Sequence, residues 1–142
     1  MKFTMKLKTP AVRHLASLLA ATVILSGCAA IQPIDNPFKQ ETNEEAAAKS
    51  SLSAGIALYD NGDYTAAAKK LATSGEIWKA SKSVQLEALK YMAFSYCVTS
   101  QPVTCKQQFD KALKLDPEFD LAPGEKGHPL WSPVFDRAKR QK

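Results

Sequence analysis

Two thiols, one imidazole and a run of acids are the groups beyond residue 28 that offer chemistry. Cys97 and Cys105 lie near the end of one periodic run and the start of the next, with seven residues between them. Such a pair is a structural disulfide, two buried small residues, or a redox couple. Redox couples usually hold their thiols closer, as in C-x-x-C at a helix start. His128 stands between Gly127 and Pro129. An isolated imidazole in a Gly/Pro loop is seldom a base or a metal ligand, and no His/Cys/Asp/Glu set has metal spacing. Asp116, Glu118, Asp120 and Glu125 share one loop, but Pro117 and Leu121 interrupt it and the calcium-loop pattern is missing, so a solvated loop is expected. There is no glycine-rich phosphate loop and no G-x-S-x-G. The expectation is a protein that is not an enzyme and holds no metal or cofactor.

Cys28 calls for different chemistry. It follows a basic start and the apolar run from Leu15 to Leu25, which is short for a membrane span and fits a secretory signal. The segment Leu25-Ser26-Gly27-Cys28 resembles the bacterial lipoprotein signal. That resemblance implies diacylglycerol on the Cys28 thiol, cleavage before Cys28, and acylation of the new amino group. Two or more acyl chains anchor stably where one is marginal. In the enterobacterial sorting pattern an Asp after the Cys retains the protein in the inner membrane. Ala29 stands there, which implies the outer membrane, with the chain facing the periplasm. In an oxidising compartment Cys97 and Cys105 are expected to pair, and with Cys28 lipidated the remaining cysteine count is even.

The charge of +5 is misleading. Lys2, Lys6, Lys8 and Arg13 precede the expected cleavage, and their removal leaves 15 basic against 14 acidic residues. Nucleic-acid binding needs a clustered basic surface. The nearest candidate, Arg137, Lys139, Arg140 and Lys142, is interrupted close by at Asp136 and reads as a solvated helix end.

The organisation expected is a signal peptide at 1–27, a lipidated cysteine and flexible tether at 28–42, and a helical domain at 43–142. Pro33 and Pro37 and the lack of any period mark the tether. Thr42 and Glu45 have capping-box spacing and open a helix running to about Asp60, with Leu52, Gly55, Ile56 and Tyr59 on one side. Asn61-Gly62 ends it, and Asp63 is placed to cap a helix from Tyr64 to about Ala80. Ser83 is a candidate cap for the next helix, whose apolar face is Leu86, Leu89, Met92, Ala93 and Tyr96. After Ser100-Gln101-Pro102 a further helix carries Cys105, Phe109 and Ala112 and closes at Pro117. Leu130, Trp131, Val134, Phe135 and Ala138 form a stripe, and Ser132-Pro133 predicts a cap and first-turn proline for a helix at about 132–140.

The order of large, small and aromatic residues in these hairpins resembles the 34-residue tetratricopeptide (TPR) repeat. The units span about 48–81 and 86–119. The first is the looser, with Ser51 where a large residue is usual and Lys79 where Pro is usual. Gly55, Ala67, Ala93 and Cys105 take the positions of closest helix approach. The resemblance implies an all-α fold of two hairpins, capped by the C-terminal helix. It also implies a concave face from the first helix of each pair, holding Lys49, Leu52, Ile56, Tyr59, Glu87, Lys90 and Phe94. Leu52, Ile56, Tyr59, Lys90 and Phe94 are the expected partner contacts, fit for a helix or extended peptide. The alternative is that Trp131 or Phe135 of the chain's own tail covers this strip.

From Tyr96 onward the likeness narrows. Cys97, Cys105-Lys-Gln-Gln-Phe109, Ala112 to Glu125 and Gly127-His128-Pro129-Leu130-Trp131, together with the lipoprotein signal, resemble the TssQ family. Those are small TPR-like lipoproteins associated with type VI secretion. The likeness covers roughly 86–137 well and the first hairpin loosely. It implies an accessory that scaffolds the envelope-spanning secretion complex, with protein partners and no nucleic acid. The competing expectation is a general TPR lipoprotein in outer-membrane protein assembly or cell-wall enzyme recruitment.

Overall fold

A computed structural model describes residues 42–141. The signal segment, Cys28 and the tether up to residue 41 lie outside the described residues, as does Lys142. The described chain is all-helical, with five α-helices and one 3-10 turn.

Helix α1 (Asn43–Asp60) opens as its sequence predicts, with the Thr42 hydroxyl accepting from the Glu45 N–H at 3.2 Å. The Glu45 carboxylate accepts from the Ser81 N–H at 2.9 Å and the Ser81 hydroxyl at 2.6 Å. Glu45 thereby ties the start of α1 to the start of the third helix. Gly62, at φ +85°, turns the chain out of α1 in the left-handed region that glycine tolerates.

Helix α2 (Tyr64–Thr73) is shorter than its sequence suggests, and Asp63 makes no side-chain cap bond. The Ser74 hydroxyl donates to the Lys70 carbonyl at 2.8 Å, drawing that carbonyl into a side-chain bond, and Gly75 is a poor helix former. The chain then makes a 3-10 turn, Ile77–Lys79, whose Ile77 is fully buried. Removing that isoleucine from water favours the break over a continued helix.

Helix α3 (Lys82–Val98) begins after Ser81, two residues earlier than a Ser83 cap implies. Lys82 to Gln85, which lie between the two expected repeat units, form its first turn. Ser100 at φ +59° and Pro102 then reverse the chain into α4 (Pro102–Leu115), and α5 is Ser132–Arg140. Ser132 is the first residue of α5 rather than its cap.

Helix α3 is the central element and serves two apolar clusters. One joins Ala48, Leu71, Ile77, Val84, Ala88 and Met92. The other joins Ala93, Phe94, Cys97, Cys105 and Phe109 to Leu121, Trp131, Val134, Phe135 and Ala138 of the C-terminal segment. Leu130, placed on the buried stripe by spacing, is 47% exposed. It precedes α5, so the helical period does not govern it. At Gly55 an added Cβ would lie 2.4 Å from Leu71 Cδ2, so only glycine lets α1 and α2 approach this closely.

Candidate interaction surface

The inner strip is built by α1 and α3, which pack side by side. Leu52, Ile56 and Tyr59 on α1 are half-buried. The Tyr59 ring packs edge-on to Tyr64 and Tyr91, each at 5.2 Å between centroids. Burial, assisted by the neighbouring tyrosines and by Asp60 and Glu125, raises the Tyr59 phenol to about 12.

The α3 half of the strip is not open. Phe94 is only 3% exposed, and the Trp131 indole lies on it with centroids 4.3 Å apart and planes 26° apart. Lys90, 8% exposed, is held by Glu125 at 2.8 Å and Glu87 at 3.0 Å. Burial alone would lower the Lys90 ammonium, but the bonds to Glu125 and Glu87 outweigh it and raise it. The expectation that Lys90 and Phe94 belong to an open surface is corrected. The chain's own tail covers them, because stacking Trp131 on Phe94 removes two large apolar faces from water.

Glu125 is the latch of that tail. One carboxylate oxygen meets Lys90 and the other accepts from the Ala122 N–H at 2.9 Å, while its carbonyl accepts from the Trp131 indole N–H at 2.9 Å. Trp131 is thus held by stacking and by its one polar atom. Phe135 lies elsewhere, against Phe109 at 5.0 Å and Phe119 at 5.9 Å. No local pattern signals the Lys90–Glu125 pair. The nearest hint is a lysine amid the apolar residues Leu89, Tyr91 and Met92.

The sulfurs of Cys97 and Cys105 are 2.11 Å apart, at disulfide distance, with the Cα atoms 5.2 Å apart. They join the last turn of α3 to the first of α4, and Cys105 is fully buried. His128 stacks on the outer face of Trp131 at 3.3 Å, and its Nδ1 accepts from the Leu130 N–H at 3.3 Å. The loop acids face lysines. Asp116 meets Lys82 at 2.9 Å, and Asp120 meets Lys126 at 2.7 Å and Lys139 at 3.4 Å. The Lys126 bond, chiefly, holds the Asp120 carboxyl below its ordinary range. Among the described residues no group of three or more His, Cys, Asp or Glu is placed to hold a metal, and no helix is long and apolar enough to cross a membrane.

What remains accessible is the α1 half, Leu52, Ile56 and Tyr59, with Tyr91 beside it. No protein-family model, curated protein or solved structure matches this chain.

Proposed function

We propose that the chain is a periplasm-facing lipoprotein anchored in the outer membrane through Cys28, and that its helices form a TPR-like scaffold binding other proteins. The observation that carries this reading is two successive helix pairs, α1–α2 and α3–α4, joined by the packing of α3 on α1 and α2, with α5 set against α4. The close approach at Gly55, where TPR-like packing requires a small residue, supports it further. The likeness of residues 86–137 to the TssQ family favours an accessory role in type VI secretion. The contact surface in this reading is the uncovered α1 half of the strip, Leu52, Ile56 and Tyr59.

The test is in-cell crosslinking of the lipidated protein, with partners identified by mass spectrometry. Capture of type VI membrane-complex or baseplate proteins supports the reading. Capture of outer-membrane assembly or cell-wall proteins in their place overturns the secretion role in favour of a general scaffold. Ile56→Asp is the informative variant, since Ile56 belongs to neither core cluster. It should abolish capture with helicity unchanged, and undiminished capture would move the contact elsewhere. Loss of palmitate labelling in Cys28→Ser tests the anchor separately.

A further inference from the structure

We propose that the cleft between the Gly127–Pro129 turn and α5 is a second membrane contact that binds the phosphate groups of anionic phospholipids. His128, Ser132, Pro133, Asp136, Arg137 and Arg140 line it. Arg137 and Arg140 are exposed, one helical turn apart, and form no ion pair among the described residues. Lys139, between them in sequence, is already engaged by Asp120 at 3.4 Å and lies 5.5 Å from the centre of the Phe135 ring. Guanidinium groups form paired bonds to phosphate oxygens that an ammonium cannot.

Two neutral donors complete the set. The Ser132 hydroxyl is buried without a hydrogen-bond partner, an arrangement that costs stability until an acceptor arrives. His128 accepts at Nδ1, which leaves the proton of the neutral ring on Nε2 as a donor. Asp136 is the one carboxylate in the lining, and the two arginines outweigh it. An anion with several oxygens satisfies these donors better than water does.

The surroundings select a lipid over a free anion. Leu130 is 47% exposed beside this cleft, and Pro129 and Pro133 are exposed with it. Apolar side chains next to arginines match the boundary between acyl chains and headgroups. The inference rests on the reading that Cys28 anchors the module at a bilayer, since the chain from Cys28 to Thr42 can then span at most about 50 Å. A weak second contact near the surface suffices at that range.

The experiment uses the chain from residue 28 onward with Cys28→Ser, so that no acyl chain contributes. Both core clusters lie within this chain. It is floated with phosphatidylcholine vesicles with or without phosphatidylglycerol. Binding is expected only with phosphatidylglycerol and should fall with added salt. Arg137→Gln/Arg140→Gln should weaken it about 25-fold, since each basic residue near an anionic surface contributes about fivefold. Circular dichroism of the variant controls for folding. Equal flotation with both lipids overturns the proposal, as does flotation unchanged in the double variant. Displacement by inorganic phosphate at matched ionic strength, or by an acidic peptide, overturns it in favour of a soluble anion. A failed anchor reading would appear only in palmitate labelling and would leave this result untouched.

Discussion

The indole of Trp131 lies on the ring of Phe94, with centroids 4.3 Å apart, and so joins the C-terminal segment to α3. The contact extends through Phe94 to Phe109 at 6.2 Å and on to Phe135 at 5.0 Å. Trp131 is therefore a core residue, though it precedes the helix that caps the fold. Trp131→Ala should cost about 3–5 kcal/mol, the usual range for truncating a buried aromatic. For a domain of this size that lowers Tm by about 15 °C or more. Trp131→Phe keeps the stacking, loses the bond to the Glu125 carbonyl, and should fall between the two. Thermal unfolding followed by circular dichroism decides it. A Trp131→Ala variant as stable as the parent would mean that the tail does not dock.

Lys90 and Glu125 fasten the same segment from the other side. Exposed ion pairs contribute little, but the Lys90 side chain is only 10% exposed and Glu125 21%. Lys90→Met strands the Glu125 carboxylate on an apolar surface and should destabilise by about 2 kcal/mol. Lys90→Met/Glu125→Gln removes both charges and should recover much of that loss, because an uncompensated charge costs more than a missing pair. A double-mutant cycle by urea unfolding gives the coupling. Additive single effects would show that the latch carries no energy of its own.

How much of this was legible in the sequence follows from the range of each interaction. The start of α1 at Thr42, the turn at Gly62, the reversal near Pro102 and the extent of α5 depend on neighbours a few residues apart, and composition displays them. The early end of α2 depends on Ile77 finding a core built by α1 and α3, and no local pattern records that. Glu45 was readable as half of a capping box. Its carboxylate goes to Ser81, which is 36 residues away, because the fold brings a second helix start within reach. The same blindness applies to Phe94 and Lys90. Register put them on one strip with Leu52, Ile56 and Tyr59, but only the tail, folded back over them, decides that they are covered. Gly55 shows the opposite case, a small residue whose position foretold the close approach to Leu71.

The Cys97–Cys105 pair spans a separation of 8 residues at the α3–α4 turn. Closing so short a loop should stabilise by about 2.5 kcal/mol in the chain-entropy model. Cys97→Ser/Cys105→Ser should lower Tm by about 10 °C or more, with helicity retained at room temperature. Undenatured parent protein should take up no alkylating agent at either residue, as read by peptide mass spectrometry. Labelling of Cys97 without denaturant would show that the thiols are free in solution.

Alkaline pH should weaken the fold through Tyr59. Burial raises its phenol to about 12, while an unfolded tyrosine titrates near 10. Between those values the folded chain keeps a proton that the unfolded chain releases. The contribution is therefore complete below about pH 10 and is lost as pH rises toward about 12. Tyr91, raised chiefly by burial, and Lys90, raised by its two carboxylates against burial, act in the same direction. Urea-unfolding stability should stay level up to about pH 10 and then fall steeply. Tyr59→Phe has no phenol to ionise, so its stability should fall less over that interval, whatever its value at neutral pH. Phenolate absorbance should show one fewer late-ionising tyrosine in the folded variant than in the folded parent. A parent and variant that lose stability in parallel above about pH 10 would locate the alkaline sensitivity outside the α1–α3 contact.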